Sequence, residues 1–397
     1  MISTTSRPYI DASAPVLRAH GLAITTAFYR NVFAELPELT NLFNMGNQAN
    51  GAQQQSLASA VFAYAANIGD PAALGPVVGR IVHKHVSVGI RAEHYPIVGR
   101  HLLGAIAEVL GQAATPALLA AWDEAYNSLA TLFINAEKEL YAAAGIEPGQ
   151  TRAMGVTAVS AQSADVVSIS MSPLDGLALP PSRPGQYVSV SVTFADGRRQ
   201  IRQYSLSDAP RSDSMRISVK REDAIDATPA GEVSNWIHQH VAVGSVLQVS
   251  PPFGDFTPDA ESAEPVVLLS AGVGITPMVA CLNRIAQVQP QRHVIFAHAA
   301  RDIAHHAHRA DIAEAQARMP NLQVVTFYED CDGADGALAG RMDVAQLPKW
   351  PRGETNVFMC GPLAFMQAQW LALVGAGVPP ARLHREVFGP EALDHLL

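Results

Sequence analysis

Hydrophobic residues keep a spacing of three and four over roughly the first third of the 397-residue chain. From about residue 12 to residue 144 the spacing recurs in several runs, which include Leu17, Ile24, Phe28 and Val32, and further on Leu118, Trp122, Ala125, Leu129 and Phe133. Residues three and four apart lie on one face of a helix. The pattern therefore predicts an all-helical first domain.

After the segment Gly145-Ile146-Glu147-Pro148-Gly149 the hydrophobic period falls to two. Hydrophobic and polar residues alternate in two clear runs, Val188, Val190, Val192 and Phe194, and Met215, Ile217 and Val219. Successive side chains of a strand point to opposite faces, so these runs predict strands with one buried face. Several short strands separated by Pro and Gly indicate a small antiparallel β-barrel.

The last third of the chain has continuous apolar runs separated by helical stretches. The runs are Val266 to Leu269, Val294 to Ala297, Val324 to Phe327 and Val357 to Met359. Strands covered by helices on both faces have this pattern, so we predict an α/β domain with a parallel sheet. The expected domains are residues 1–147 (all-α), 151–258 (antiparallel β-barrel) and 263–397 (α/β).

Composition narrows the compartment and the class of partner. The formal net charge is -9 and no long basic run occurs, so nucleic acid and anionic membrane surfaces are not expected partners. The 3 cysteines are far apart, which argues against a disulfide framework and favours a reducing, cytoplasmic compartment. Neither a signal peptide nor a transmembrane segment is expected, because charges or prolines interrupt the apolar stretches.

One predicted helix carries a candidate haem ligand. His85 follows Ile81 by four residues and precedes Val88 by three, so its side chain shares the apolar face. A buried histidine of the core would show the same pattern. Haem ligation needs a neutral imidazole in an apolar pocket and an acceptor for its other ring nitrogen. Spacing alone does not choose among the nearby candidates, His83, His85, His94 and His101.

The barrel segment has residue types that suit a flavin nucleotide. Arg202-Gln203-Tyr204-Ser205 supplies a cation for the pyrophosphate, an aromatic surface for the isoalloxazine and a small hydroxyl for its N5. Gly231-Glu232-Val233-Ser234 predicts a helix start whose N–H groups can hold phosphate oxygens, with Gly231, Val233 and Ser234 as the contacts. Together with Pro184-Gly185-Gln186-Tyr187, where Tyr187 is a further flavin contact, these strings resemble the FAD barrel of ferredoxin-reductase-like proteins. An exposed strand is the alternative interpretation.

Two loops of the α/β segment suit a nicotinamide dinucleotide. In Gly272-Val273-Gly274-Ile275-Thr276-Pro277 the glycines allow a tight turn, and Thr276 and Pro277 begin a helix. The string departs from GxGxxG because Pro277 replaces the third glycine. It is similar instead to the nicotinamide site of ferredoxin-reductase-like proteins, as is Cys360-Gly361-Pro362. Cys360 is expected to line the site and not to act as a nucleophile.

The helical segment resembles the globin domain of bacterial flavohaemoglobins. The matching strings are Ala27-Phe28-Tyr29, Leu42-Phe43-Asn44-Met45, Asn50-Gly51-Ala52-Gln53, Lys84-His85, Tyr95-Pro96-Ile97-Val98-Gly99 and Phe133-Ile134-Asn135 with Glu137. The resemblance implies that His85 is the proximal iron ligand and that Glu137 and Tyr95 form its hydrogen-bond network. On the distal side it implies a set of four residues, the polar Tyr29 and Gln53, Leu57 as the limit of the pocket, and Phe43 against the haem.

The end of the chain, Glu386-Val387-Phe388-Gly389-Pro390, resembles the family's segment over the flavin, with Phe388 on the isoalloxazine. Many relatives have cysteine at the position of Val387 and glutamine at that of Ile275. Lys84 and Glu386 match a pair that in the family lies near the boundary between haem and flavin, although a solvated charge is the simpler interpretation of each.

The resemblance runs from about Ala14 to Pro390 and implies a nitric oxide dioxygenase with haem b, FAD and NAD(P)H. Hydride would pass from NAD(P)H to FAD and single electrons to the haem, where O2 and nitric oxide give nitrate. A monomer is expected, and a lipid in the distal pocket is left open. Two other functions are considered: an O2-binding or redox-sensing globin, and a reductase of flavin, ferric complexes or lipid hydroperoxides.

Two further strings leave questions open. Ala299-Ala300-Arg301-Asp302 carries both a cation and an acid, so the sequence does not decide between NADH and NADPH, although the family favours NADH. The cluster His305, His306 and His308 completes no known set of metal ligands, so a metal site is not expected there.

Overall fold

The structure, a computed structural model, describes residues 2–43, 45–49, 51–68, 75–225, 228–331 and 336–389. The chain divides into two compact units. One contains residues 2–151, Ser191–Arg202 and Gly389, and the other contains Arg152–Val190 and Gln203–Phe388. Within these described ranges, none of the helices combines the length and the hydropathy that a membrane span requires.

Residues 2–151 of the first unit are helical, as the spacing of three and four predicts. The helices are α1 (Arg7–Glu35), α2 (Met45–Ala49), α3 (Ala52–Ala66), α4 (Gly75–Val88), α5 (His94–Leu110) and α6 (Pro116–Ala144). The core between them contains Leu17, Ile24 and Phe28 from α1 and Trp122 from α6. Helix α1 begins before the predicted start at residue 12 and continues through Pro15.

Capping residues fix both ends of α6, the last helix of residues 2–151. The Thr115 hydroxyl accepts a hydrogen bond from the Leu118 N–H (3.3 Å), Pro116 occupies the first turn, and Gly145 ends the helix in the left-handed conformation. Beyond it, the chain passes against the end of α4. A Cβ on Gly89 would lie 2.6 Å from the Cα of Gly149, so the two backbones pass each other where neither residue has a side chain.

The middle of the chain forms an antiparallel sheet, as predicted. Its strands are β1 (Arg152–Ala161), β2 (Val166–Pro173), β3 (Tyr187–Thr193), β4 (Arg199–Ser205), β5 (Met215–Lys220) and β6 (Val246–Val249), in the order β4-β3-β6-β1-β2-β5. A bridge between Leu206 and Ile217 joins the end of β4 to β5, so the two edges of the sheet meet as in a barrel. Helix α7 (Glu232–His240) lies between β5 and β6 in the sequence.

A parallel sheet follows, again as predicted. Its strands are β7 (Val266–Ala271), β8 (Val294–Ala300), β9 (Leu322–Tyr328), β10 (Leu338–Ala339), β11 (Asn356–Cys360) and β12 (Leu383–Glu386), in the order β10-β9-β8-β7-β11-β12. The connecting helices are α8 (Ile275–Val288), α9 (Arg309–Arg318) and α10 (Leu363–Gly375). The strand order reverses between β7 and β11, and ligands of open parallel sheets bind outside the carboxyl ends of the strands at such a point.

Candidate cofactor sites

His85 lies near the end of α4, and its Nδ1 is bonded to a buried carboxylate. The distance to Glu137 Oε1 is 2.7 Å, and Glu137, on α6, is 2% exposed. Tyr95, from α5, approaches the same Nδ1 at 3.1 Å and donates its hydroxyl hydrogen to Glu137 Oε1 at 2.5 Å. Three helices thus bring together the three residues that the resemblance groups on the proximal side. Because Nδ1–H donates to the carboxylate, Nε2 keeps its lone pair for a metal.

The surroundings hold this triad in place. The ring of Phe133 packs edge-on against His85, with the centroids 5.8 Å apart. Tyr126 donates a hydrogen bond to the Tyr95 carbonyl (2.6 Å), which fixes the start of α5. Burial, and after it the Glu137 carboxylate, raises the pKa of the Tyr95 hydroxyl, so it remains a donor. The side chain of His85 is 33% exposed, which leaves the ring accessible on one side.

Two of the other candidate histidines, His94 and His101, are engaged differently. The Nδ1 of His94 accepts a hydrogen bond from the Arg91 N–H at 3.2 Å, within the turn that precedes α5. His101, which is buried, lies with its Nε2 3.3 Å from a carboxylate oxygen of Glu35. Neither has the arrangement of His85, in which one ring nitrogen faces a buried carboxylate.

The residues expected on the distal side share one part of the helical core. Tyr29 packs edge-on against Phe43, with the ring centroids 5.7 Å apart, and Leu57 packs against the same cluster. The Tyr29 hydroxyl is hydrogen-bonded to the Gln53 and Gln48 side chains, while burial raises its pKa to about 12. The sequence predicted Gln53, but Gln48 was missed, because one polar residue of the short helix α2 gives no periodic signal.

The proposed flavin contacts of the barrel lie on β4. Arg202 and Tyr204 are two residues apart and therefore lie on the same face of the strand. Arg202 donates hydrogen bonds to the Gln200 side chain (3.0 Å) and to the Ile201 carbonyl (2.8 Å). Ser205 is buried at the end of the strand, and Gln203 is exposed. The hydrogen bonds from Arg202 to Gln200 and Ile201 hold its guanidinium in one orientation, as a phosphate site requires.

Two neighbouring features complete this part of the barrel. Tyr187 begins β3 and pairs with Phe253 through both backbone hydrogen bonds, each 2.8 Å long. Gly231 precedes α7, where a Cβ would lie 2.8 Å from the Ser234 hydroxyl oxygen. Ser234 in turn donates to the Gly231 carbonyl at 3.1 Å, and Val233 is buried against the barrel. The predicted helix start is present, and Gly231 directly precedes its first residue, Glu232.

The two glycine loops of the α/β domain lie side by side at the reversal point of the sheet. Gly272-Val273-Gly274 follows β7 and Gly361-Pro362 follows β11, which are adjacent strands. A Cβ on Gly274 would collide with the Cys360 carbonyl oxygen, and a Cβ on Gly361 would lie 3.1 Å from that of Ala271. The two loops can therefore approach this closely only because both glycines have no side chain. Next to them Ile275, Thr276 and Pro277 are buried at the start of α8.

Cys360 is fully buried at the end of β11, opposite Glu386 of β12. Burial, together with the Glu386 carboxylate, raises the pKa of the thiol well above its usual value. The thiol is therefore protonated at neutral pH and is a poor nucleophile.

The remaining predicted residues lie at the end of the chain and on α4. Val387 is partly buried, and its N–H donates to a Glu386 carboxylate oxygen at 3.1 Å. Phe388 is 46% exposed. Lys84 donates a hydrogen bond to the Gly389 carbonyl at 2.9 Å. Pro390 lies outside the described residues, as do Asn44 and Asn50 of the matching strings.

A buried polar row that the sequence analysis missed crosses the parallel sheet below the glycine loops. Ser270 of β7 lies between His298 of β8 and Cys360 of β11, and its hydroxyl oxygen is 2.9 Å from His298 Nδ1. The His306 ring packs on His298, with centroids 4.5 Å apart, and its Nδ1 is 2.8 Å from the Tyr328 hydroxyl. The sequence signal for this row is His298, a histidine among the apolar residues of β8.

The three histidines after β8 do not converge on a common point. His305 contacts Asp302, His306 contacts Tyr328, and His308 lies between Ser218 and Asp311. Over the described part of the chain, no group of three potential ligands is placed to hold a metal ion.

The helical domain has a histidine that faces a buried carboxylate. It is followed in the chain by an antiparallel barrel and by a parallel sheet with two adjacent glycine loops. Together these features define the class of protein, an oxidoreductase that carries a globin domain. The family models agree. The globin model matches residues 26–132, and the oxidoreductase NAD-binding domain model matches residues 268–370.

Curated relatives are similar over nearly the whole chain. The flavohemoprotein of Bordetella parapertussis is 48% identical, over 98% of this chain and 99% of its own length. That of Rhizobium meliloti is 43% identical, over 98% and 99% of the two chains. The chain belongs to the flavohemoprotein family.

Solved structures agree with this assignment. The flavohemoglobin from Malassezia yamatoensis, a crystal structure with bound FAD and heme, has a TM-score of 0.85 and 32% identity and covers 98% of this chain and 100% of its own. The FAD/NAD binding domain of the nitric oxide dioxygenase from Vibrio cholerae has a TM-score of 0.57 and 38% identity, over 61% of this chain and 100% of its own.

Proposed function

We propose that this chain is an NAD(P)H-dependent nitric oxide dioxygenase that converts nitric oxide and O2 to nitrate. A family member from Vibrio cholerae is named for this activity, and the one from Malassezia yamatoensis binds FAD and heme. The same cofactors suit this chain, with haem b at His85, FAD at Arg202 and Tyr204 of β4, and NAD(P)H at the glycine loops after β7 and β11.

The contact between His85 and Glu137 is the observation that carries the proposal. A full carboxylate, 2% exposed, accepts the Nδ1–H of His85 at 2.7 Å and the Tyr95 hydroxyl hydrogen at 2.5 Å. This increases the electron density on Nε2 and makes it a strong donor to iron. An O2 carrier does not need such a donor, whereas an enzyme that activates O2 does, so the contact favours the oxygenase over the carrier or sensor.

The distal residues have the chemistry that this reaction needs. Burial raises the Tyr29 pKa to about 12, so its hydroxyl stays protonated at neutral pH and can donate a hydrogen bond. Gln53 and Gln48 hold the hydroxyl in place, and Phe43 and Leu57 keep its surroundings apolar. The chain thus offers one oriented donor in a region with little water.

Bound haem would supply the iron for O2 chemistry, and bound FAD would accept a hydride and release single electrons. The reductase residues would hold the flavin and the dinucleotide. The Arg202 guanidinium, oriented by Gln200, suits the flavin pyrophosphate, and the close packing of Gly274 on Cys360 brings together the two loops of the proposed dinucleotide site.

The test is nitrate formation by the purified holoenzyme. With NADH or NADPH, O2 and nitric oxide, we expect nitric oxide to disappear and nitrate to form, as measured by an electrode and a nitrate assay. His85→Ala should abolish nitrate formation but leave flavin reduction, followed by bleaching of the flavin absorbance. The matched control is His94→Ala, which should retain both. Nitrate formation that persists in His85→Ala, or that is missing from the wild type, contradicts the proposal.

A further inference from the structure

A buried glutamine of β4, Gln200, contacts the helical part of the first unit. It is 4% exposed and precedes Arg202 by two residues, so the two side chains lie on the same face of the strand. Residues Ser191–Arg202 belong to the same compact unit as residues 2–151, so the contacts of Gln200 with both groups lie within one unit.

The two ends of the Gln200 side-chain amide have different partners. Its Oε1 accepts a hydrogen bond from Arg202 Nη1 at 3.0 Å, and its Nε2 donates to the Thr40 carbonyl oxygen at 3.0 Å. The reversed amide would place its NH2 group against a guanidinium and its oxygen against a carbonyl oxygen, so the partners allow only this orientation. Gln200 therefore connects the proposed ligand of the flavin pyrophosphate to Thr40.

A second hydrogen bond joins β4 to the same segment. The Arg199 N–H donates to Asn41 Oδ1 at 3.1 Å. Thr40 and Asn41 are the last residues of the short helical turn Pro37–Asn41 that follows α1, and the Thr40 hydroxyl donates to the Pro37 carbonyl at 2.6 Å. Two successive residues of β4 thus hold two successive residues of this turn.

The turn leads directly to the residues expected on the distal side of the haem. Phe43 is three residues beyond Thr40, and its ring centroid lies 5.7 Å from that of Tyr29 and 5.4 Å from that of Phe33. Leu39 of the turn packs against the same core. A shift of the turn at Thr40 would therefore move Phe43 and, through it, the surroundings of the Tyr29 ring.

We infer that Gln200 is a positioning residue that couples the flavin site to the distal side of the haem. A phosphate on Arg202 fixes the guanidinium, the guanidinium fixes the Gln200 amide, and the amide holds Thr40 and the turn before Phe43. A buried amide that loses one partner is left with an unsatisfied polar atom, so the contacts at its two ends support each other.

The consequence is that the distal side takes a single arrangement when FAD is bound, which is when electrons can be supplied to the haem. The inference rests on the proposed positions of FAD at Arg202 and of haem at His85.

The infrared C–O stretching band of the ferrous CO complex tests this coupling, because the band depends on the polarity and the space around the bound ligand. The band is recorded on the full-length haem-loaded protein, first depleted of FAD and then with FAD restored. Quenching of flavin fluorescence in the oxidised protein gives the FAD affinity separately. In the wild type, the band should shift or narrow when FAD is restored.

Three variants distinguish coupling from simple packing. Gln200→Met keeps the length of the side chain and removes both hydrogen bonds, so the band should no longer respond to FAD, and FAD should bind about tenfold more weakly. Asn41→Ala removes only the second hydrogen bond to the turn, so the response should shrink while the FAD affinity is retained. Gln248→Met, which replaces an exposed glutamine of β6, is the matched control and should behave as the wild type.

A wild-type band that is the same with and without FAD overturns the inference, as does a full response in Gln200→Met at saturating FAD. The second result would show that Gln200 only packs the barrel. If Gln200→Met does not fold, Asn41→Ala decides, and an undiminished response in it overturns the inference.

Nitrate formation by the wild type separates this inference from the proposed function. Normal nitrate formation without a response of the band to FAD refutes the coupling and leaves the dioxygenase standing. A response without nitrate formation refutes the dioxygenase and leaves the coupling standing.

Discussion

Replacing Glu137 with glutamine tests the role of the proximal carboxylate most directly. Glutamine has the same shape and keeps one oxygen at the position that accepts from His85 (2.7 Å) and Tyr95 (2.5 Å), but it has no charge. The geometry should persist while the electron density on His85 falls. Changing a partner behind a metal ligand costs about 10- to 100-fold in activity, so nitrate formation should fall by that factor.

The stability effect can be estimated from the same contacts. A hydrogen bond to a charged group contributes about 1.5–3 kcal/mol and a neutral one about 0.5–1.5 kcal/mol. Two such bonds end on Glu137, so Glu137→Gln should lower the free energy of unfolding by about 2 kcal/mol. That loss is too small to unfold a domain of ordinary stability, and the effect on rate can therefore be measured on folded protein.

Three measurements test whether the Glu137 carboxylate strengthens His85 as a donor to iron. They are the rate of nitrate formation, urea unfolding, and the iron–histidine stretching frequency of the reduced protein by resonance Raman. The frequency should fall in Glu137→Gln, because a weaker donor gives a weaker bond to iron. Glu139→Gln on the same helix is the control, because Glu139 is exposed and should leave all three unchanged. An unchanged frequency together with an unchanged rate in Glu137→Gln would refute the reasoning.

Two further predictions concern the α/β domain. Burial lowers the pKa of His306 from 6.5 to about 4, so as the pH falls the unfolded chain takes up this proton first, and the free energy of unfolding should decrease between pH 6.5 and about pH 4. In urea titrations over this range His306→Gln should flatten the decrease, exposed His240→Gln should not, and equal slopes in all three proteins would contradict the assignment. Gly274→Ala should push the loop away from Cys360 and lower both stability and flavin reduction by NAD(P)H, because its Cβ meets a backbone oxygen. Gly353→Ala, where a Cβ meets nothing within 4 Å, should change neither, and full flavin reduction in Gly274→Ala would show that the loops can separate freely.

The hydrophobic period was sufficient to predict the three kinds of architecture, because helices and sheets repeat at different intervals. It located β7, β8, β9 and β11 correctly, since strands buried on both faces are continuously apolar. The edge strands β10 and β12 were not predicted. β12 is only Leu383–Glu386 and is mostly polar, so it has no hydrophobic pattern and depends on pairing with β11.

The candidate sites were predictable to different degrees. His85, Tyr95 and Glu137 are spread over three helices, and their meeting at one carboxylate depends on helix packing, which no local pattern encodes. They were identified through the resemblance. For the same reason the sequence does not decide between Arg301 and Asp302, because the hydrogen bond that ties Asp302 to its own turn is a matter of side-chain geometry.

The crossing of Gly89 and Gly149 has a consequence for the first unit. Gly89 is four residues beyond His85, and both glycines have positive φ. The segment that leaves the helical domain can therefore pass close to the end of α4, four residues beyond His85, because Gly89 has no side chain. An alanine at position 89 would push this segment away from α4, so a change at the end of the helix that carries His85 also moves the exit of the chain.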